Sequence, residues 1–307
     1  MTAVTNEERS ELLAGLSAHP PRVSPRYFYD EVGSRLFDRI TRTPEYYPTR
    51  TELAILRDRG GAIGERISAG SVIVELGSGS ADKILALLAH LDAPRLYRPI
   101  DISRAALDKT CEGVRRGAPD LDVSPFEGDF TAAAAYADLP AGAPKLVYYS
   151  GSTIGNFEPA EATAFLRALR ERLAPGDVLL LAADLVKDHA VLHAAYNDAA
   201  GVTAAFNRNM LRHLNARFGT DFDAEAFDHL AFFEPKKRRI EMHLVPRSEQ
   251  RVRIGDETVS FTKPIHTESS YKFTPDDLTG LARASGFVLE TIVTDDRGWF
   301  AEAIFRA

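Results

Sequence analysis

A chain of 307 residues is long enough for one large domain carrying a smaller one. Its apolar fraction of 45% and charged fraction of 26% are those of an ordinary folded protein, not a disordered or fibrous one. A formal net charge of −7 argues against a nucleic-acid partner, which needs basic surface in excess, and the single cysteine, Cys111, excludes internal disulfides and cysteine-based metal sites.

The N-terminal residues MTAVTNEERSELL lack a basic segment followed by an apolar stretch, and no later apolar run approaches the roughly 20 residues of a membrane span. A cytoplasmic protein with no membrane partner is expected. Residues 1 to about 66 read as mostly helical. Ser71 to Leu76 (SVIVEL) then predicts a buried strand ending in glycines, followed by a helix over Asp82 to Leu91. A strand at Leu96 to Ile100, a helix over Ser103 to Arg116, a strand near Leu121 to Phe126 and the run Lys145 to Ser150 (KLVYYS) continue the alternation. Pro159 to Leu173 has apolar residues at helical spacing, and Asp177 to Ala182 (DVLLLA) reads as another buried strand. Such alternation with near-continuous apolar strands indicates a doubly wound parallel α/β sheet covered on both faces.

Residues 186 to 272 interrupt the pattern with helices around Leu192 to Phe218 and two or three strands, around Arg239 to Pro246 and Arg251 to Phe261. His189 and His193 share a helix face here, yet Ala190 stands where a zinc-hydrolase motif has Glu and no third ligand is apparent, so no metal is expected. The basic run Lys236-Lys237-Arg238-Arg239 reads as a solvated turn. Thr274 to Gly286 predicts an N-capped helix, Phe287 to Val293 a strand, Asp295-Asp296-Arg297-Gly298 a tight turn and Trp299 to Phe305 a last strand. A hairpin closing an otherwise parallel sheet is the Rossmann-like arrangement of class I methyltransferases, which ordinary dinucleotide-binding folds lack. The core domain is therefore expected at 67–185 and 273–307, and a smaller α+β substrate-binding domain at 1–66 and 186–272. Because the insertion leaves the core from a strand's carboxyl end, it can cover a ligand bound there.

Gly77-Ser78-Gly79-Ser80 lies where the first strand turns into a helix, and glycines there admit a ligand against the backbone. Alone, the pattern is equally a plain turn. Asp101 ends the second strand about 20 residues further on, where a carboxylate can hold both ribose hydroxyls. Gly128-Asp129-Phe130 ends the third, pairing an acid with a flat apolar face suited to adenine, and Gly151-Ser152 ends the fourth. Either acid in isolation would be an ordinary surface carboxylate; successive strand ends so furnished point to an adenosine ligand. NAD would bring a third glycine for its pyrophosphate, and Ala81-Asp82 stands there instead. S-adenosylmethionine has no pyrophosphate, and its amino acid tail can meet the glycine turn and Lys83.

The segments FYDEVGSRLFDRIT (28 to 41), PEYYPTRTELAIL (44 to 56), VELGSGSADK (74 to 83), GSTIGNFEP (151 to 159), DLVKD (184 to 188), AYNDAAGVTAAFNRN (195 to 209), RRIEMHL (238 to 244) and HTESSYKF (266 to 273) resemble, in order along nearly the whole chain, those of the histidine Nα-methyltransferase family of ergothioneine biosynthesis. Two departures are Ile84 where Thr is expected and Ser269 where many relatives have Asn. The resemblance implies trimethylation of the α-amino group of L-histidine to hercynine by a cytoplasmic monomer. It implies that Tyr29, Phe37, Gly77, Lys83, Asp101, Asp129, Phe130, Gly151 and Ser152 contact S-adenosylmethionine. Asn156 and Tyr196 would hold the amino acid's amino and carboxylate groups, Tyr46, Met242, Glu268 and Ser270 would surround the imidazole, and Tyr29 and Asn156 would orient the amine. Without the family, the tyrosines would read as packing aromatics, Met242 as a core filler and Asn156 as a turn residue. Two rival functions are a same-fold N-methyltransferase acting on another aromatic amino acid or amine, and a noncatalytic adenosine-binding regulator.

Overall fold

The computed structural model describes residues 4–79 and 81–307; Met1 to Ala3, and Ser80 of the glycine turn, lie outside the described residues. The chain divides into two units, 1–47 with 187–270 and 48–186 with 271–307. The first unit opens with α1 (Asn6–Leu16), where Thr5 and Glu8 cap each other reciprocally, and α2 (Glu31–Ile40), whose N-cap Asp30 accepts from the Gly33 N–H at 2.6 Å. The second unit begins at α3 (Pro48–Asp58) and α4 (Gly60–Gly64). These two helices were expected with the N-terminal segment 1–66, but they belong with the sheet because Ile55, Leu56 and Ile63 are buried in its cores.

The sheet unit continues through β1 (Val72–Leu76), α5 (Ala81–Leu88), β2 (Leu96–Asp101), α6 (Arg104–Gly117), β3 (Asp122–Val123), β4 (Phe126–Glu127), β5 (Lys145–Tyr149), α7 (Pro159–Arg170) and β6 (Val178–Asp184). The strand expected over 121–126 is thus two short pieces. Pro125, which has no N–H to donate, stands between them. After the excursion described below, α10 (Pro275–Ser285), β12 (Val288–Thr294) and β13 (Phe300–Arg306) close the unit. The sheet order is β12-β13-β6-β5-β1-β2-β3, with β4 also on β2. All pairings are parallel except those of β13, which runs antiparallel to both neighbours, as the expected terminal hairpin requires. This is the class I methyltransferase topology. Period-two alternation sorts the strand side chains onto two cores: Val72, Val74, Val147 and Leu179 lie with α7 and α10, and Ile73, Leu146, Tyr148 and Leu180 lie with α3 to α6.

In the first unit, α8 (His189–Tyr196) and α9 (Val202–Phe218) precede β7 (Phe227–Glu234), β8 (Arg239–Pro246), β9 (Gln250–Ile254), β10 (Glu257–Phe261) and β11 (Ile265–Tyr271). The expected run 251–261 is a hairpin that turns at Gly255-Asp256, and Gly255 supplies the positive φ of +64° such a turn needs. Strands β11, β8 and β7 form a sheet in that order. Helix α9 buries Phe206, Asn207, Asn209, Met210, Leu211 and Leu214 against α2 and the sheet. Among the described residues no helix is long and apolar enough to cross a membrane.

Candidate active site

The order of the large sheet reverses between β1 and β5, the switch point at which open α/β sheets bind ligands beyond the strands' carboxyl ends. After β1, Gly77 adopts φ +75°, and a Cβ on Gly77 or Gly79 would meet nothing within 4 Å, so the turn leaves open space over its backbone. Asp101 ends β2 with Oδ1 accepting from the Ser103 N–H at 2.7 Å. Burial pushes its pKa up to about 6 against the opposing backbone N–H groups of Ser103, Ser78 and Ile102. A ligand hydroxyl donating to this carboxylate would favour its charged form. Gly128 donates its N–H to the Asp101 carbonyl at 2.9 Å. Next to it, exposed Asp129 accepts from the Thr131 N–H at 2.7 Å, and the half-buried Phe130 ring packs 5.6 Å from Tyr149 and 5.5 Å from Phe165.

After β5, Gly151 and Ser152 are both left-handed, with φ +74° and +57°. For a serine this conformation costs about 1 to 3 kcal/mol. The surroundings hold it there: the Asp184 N–H donates to Ser152 Oγ at 2.8 Å, and the Asp184 carboxylate pairs with Lys272 at 2.9 Å in a fully buried bridge. Gly155 lies so close to the Tyr271 carbonyl that a Cβ would sit 2.8 Å from its oxygen. Asn156 ends the following 3-10 turn half-buried, and its side-chain amide makes no hydrogen bond among the described residues.

Beneath these loops lies Glu52 of α3, fully buried. Its Oε2 pairs with the Lys83 ammonium at 3.0 Å, and its Oε1 accepts from the Tyr148 hydroxyl at 2.7 Å and the Gly151 N–H at 3.0 Å. One carboxylate therefore ties α3, α5 and β5 to the loop bearing the left-handed pair. Lys83, expected to meet the cofactor, is 7% exposed, with its charge already engaged by Glu52. Two further acids are buried in the sheet. Burial pushes Glu75 up to about 7, opposed by the Tyr97 hydroxyl that donates to it. Glu302 is raised well above the ordinary carboxylate range by burial and by the neighbouring Glu52, which favours its neutral form.

In the first unit the expected aromatic residues form a continuous row. Tyr29 meets Phe37 edge to face at 5.8 Å, Phe37 meets Tyr46 at 6.1 Å, and Tyr46 meets Tyr196 at 6.5 Å. Tyr29, at 36% exposure, is the open end. At the buried end the Tyr196 hydroxyl donates to Ser270 Oγ at 2.8 Å. Ser270 and Glu268 both lie on β11 two residues apart, and both are buried, as is Met242 on the adjacent β8. Gly77, Lys83, Asp101, Asp129, Phe130, Gly151, Ser152 and Asn156 lie in the sheet unit, whereas Tyr29 and Phe37, also expected at the cofactor, belong to the unit of the aromatic row.

Reasoning from the sequence did not single out Glu52, Phe206 or Lys272. Glu52 could have been found: it lies three and four residues before Ile55 and Leu56, so it shares their buried helix face. Phe206 packs on Tyr29 at 5.8 Å and Phe37 at 6.0 Å and completes the row, but at helical spacing it looks like any core aromatic. Among the described residues no group of three or more His, Cys, Asp or Glu side chains is arranged to hold a metal ion; the His189 ring lies 4.5 Å from Phe233.

Residues 8–307 match the family described as "Histidine-specific methyltransferase, SAM-dependent". The chain is 43% identical to a Histidine N-alpha-methyltransferase of Mycolicibacterium smegmatis and 41% identical to one of Mycobacterium tuberculosis, in each case over 95% of this chain and 92% of the relative. It is also 30% identical to Ergothioneine biosynthesis protein 1 of Neurospora crassa, over 80% of this chain and 30% of that protein.

Proposed function

Because this chain belongs to the histidine-specific, S-adenosylmethionine-dependent methyltransferase family, we propose that it trimethylates the α-amino group of L-histidine to hercynine, the first step of ergothioneine biosynthesis. The observation that carries this reading is the row of rings from Tyr29 to Tyr196, which ends on a buried hydroxyl pair beside Glu268. It offers π faces to a growing alkylammonium and polar partners to an imidazole.

The strand ends fit the cofactor. Asp101 would accept both ribose hydroxyls, Asp129 and Phe130 would meet adenine, and the open turn at Gly77 with Gly151 and Ser152 would receive the amino acid tail. Tyr29 and Phe37 would also contact the cofactor, as the resemblance implies. Lys83 would act mainly through Glu52, by holding Gly151 in place. S-adenosylmethionine, when bound, supplies a methyl group activated by its sulfonium.

Displacement at that methyl moves a positive charge from sulfur to nitrogen without creating one, so the protein must align and desolvate the amine rather than stabilise an oxyanion. The amine must arrive neutral. With an α-amino pKa of about 8 or somewhat higher, a modest proton loss to solvent or to a nearby group suffices. Asn156, whose side-chain amide makes no hydrogen bond among the described residues, would hold the amino acid group, and the Tyr29 hydroxyl would help orient the nitrogen lone pair. Glu268 and the Tyr196–Ser270 pair would bond the imidazole, and a site built to pair a polar ring rejects one that leaves its groups unmatched. The same buried carboxylate disfavours an indole substrate.

The test is mass spectrometry of the pure protein incubated with S-adenosylmethionine and an equimolar mixture of the common amino acids. Histidine carrying three methyl groups is expected. Preferential methylation of another amine would replace the substrate, and binding of the cofactor with no product would indicate a regulator. A monomer acting in the cytoplasm belongs to the same proposal.

A further inference from the structure

We propose that Asn207 and His229 are positioning residues for the histidine site, two side chains whose hydrogen bonds set Tyr196, Met242 and Glu268 relative to one another. The inference rests on the substrate reading above and extends it to residues that touch none of the reacting atoms. Asn207, on α9, is fully buried. Its Nδ2 lies 2.9 Å from the His243 carbonyl oxygen and 2.9 Å from His229 Nδ1. A carbonyl can only accept, so the nitrogen of the amide faces it, and the second N–H of that nitrogen is left for His229.

His229 Nδ1 must then accept, and the ring proton resides on Nε2, which donates to the Tyr196 carbonyl at 2.9 Å. Burial lowers the His229 pKa, consistent with this neutral form. At the other end of the amide, Oδ1 accepts from the Thr267 hydroxyl at 2.8 Å, and the same hydroxyl lies 3.0 Å from the Met242 carbonyl. Because the His243 and Tyr196 carbonyls can only accept, they fix the amide orientation and the histidine tautomer, and the single Thr267 proton is shared between Asn207 Oδ1 and the Met242 carbonyl.

The three backbone anchors are residues proposed to bind substrate or their direct neighbours. Tyr196 is held through its own carbonyl at the end of α8, Met242 through the carbonyl of His243, the next residue on β8, and Glu268 through Thr267, the residue before it on β11. The same helix also reaches the opposite end of the aromatic row. Asn209 Nδ2 donates to Asp30 Oδ1 at 2.8 Å, next to Tyr29 and at the cap of the helix that carries Phe37. The segment 206–209 therefore supports the row with Phe206 and both of its ends with two buried amides.

The test uses the full chain and steady-state kinetics with whichever amino acid the wild type methylates in the mixture. His229→Leu removes both bonds and is expected to raise the KM for histidine about tenfold, because it takes the His229 donor from the Tyr196 carbonyl and the acceptor from an Asn207 N–H, while the KM for S-adenosylmethionine changes less than about twofold. His229→Gln presents a donor and an acceptor of similar reach without the ring and should restore the histidine KM to within about threefold of wild type. Should His229→Leu fail to fold, Thr267→Val keeps the shape and the strand preference and should raise the histidine KM by about threefold or more with the thermal midpoint little changed. A lowered midpoint with a wild-type histidine KM in these variants overturns the positioning role, as does an equal rise in KM for both substrates. Wild-type protein that methylates no amino acid fails the functional reading instead.

Discussion

The two units build ligand-facing surface by different means. In the sheet unit the groups proposed for the cofactor sit within three residues of a strand end. The backbone holds them: Asp101 takes the Ser103 N–H, Asp129 takes the Thr131 N–H, and Gly77, Gly151 and Ser152 act through their φ angles. In the other unit, Tyr29, Phe37, Tyr46, Tyr196, Met242, Glu268 and Ser270 come from segments far apart in the chain, and the rings and Ser270 are joined by side chains meeting side chains. A strand-end site can be assembled locally, so its integrity depends on what lies under the loops, while a row of rings depends on every segment that contributes one.

The largest effect that would test this contrast comes from Glu52. Replacing it with Ala leaves the buried Lys83 ammonium, the Tyr148 hydroxyl and the Gly151 N–H without their common acceptor. Breaking a buried pair by removing one partner costs about 3 to 5 kcal/mol, so urea unfolding should show a loss of that size together with weakened cofactor binding. Glu302→Gln, by contrast, replaces a buried carboxyl that Glu52 already disfavours in its charged form and should change stability little. A Glu52→Ala protein as stable as wild type would show that the loops are supported elsewhere.

The same division explains what the sequence revealed. The alternation of strands and helices, the glycine turn, Asp101 and the terminal hairpin could be read directly, because each is a local pattern with a local cause. The substrate side was reached through resemblance alone. After its first residue, Ile265, strand β11 reads HTESSY, a polar run that nothing local marks as buried, yet Thr267, Glu268, Ser269 and Ser270 are all buried. The partners known to satisfy it include Asn207, Tyr196 and the Met242 carbonyl, from three other elements. Strand β7 was missed for a similar reason: its buried positions are spaced irregularly and its pairing with β8 is what defines it.

Asp101 gives the next effect in size. Asp101→Ala should weaken S-adenosylmethionine binding by about 1.5 to 3 kcal/mol by calorimetry, the loss of hydrogen bonds to a charged acceptor. The pH dependence has a defined sign. Burial raises this acid to about 6, so the folded chain holds its proton more tightly than the unfolded one, and the group's contribution to stability increases as pH falls through 6. Cofactor binding, which uses the charged form, runs the opposite way: affinity should be flat above pH 7 and fall about tenfold per unit below 6. The slope should vanish in Asp101→Ala, and a slope retained there would assign the titration to another group.

On the other unit, Glu268→Ala combined with Met242→Val should erode discrimination more than chemistry. The first change removes an acceptor for the imidazole N–H and both add space for an indole, so the ratio of histidine to tryptophan product at equal concentrations should fall about tenfold. An unchanged ratio would place ring recognition elsewhere.

The smallest effect separates two functions of one residue. Tyr196 contributes its hydroxyl to Ser270 at 2.8 Å and its ring to the row at 6.5 Å from Tyr46. Tyr196→Phe deletes the first and keeps the second, and a single hydrogen bond is worth about 0.5 to 1.5 kcal/mol, so the KM for histidine should rise about fivefold. The ring face that can receive an alkylammonium remains, so the fully methylated product should still dominate. Tyr196→Leu removes both, and mono- and dimethylated histidine should then accumulate as the later, cationic stages lose their aromatic surface. If Tyr196→Phe instead releases the partly methylated products, the hydroxyl and not the ring accommodates the growing cation. The row of aromatics would then be packing, and the contrast between the two units would reduce to one of connectivity.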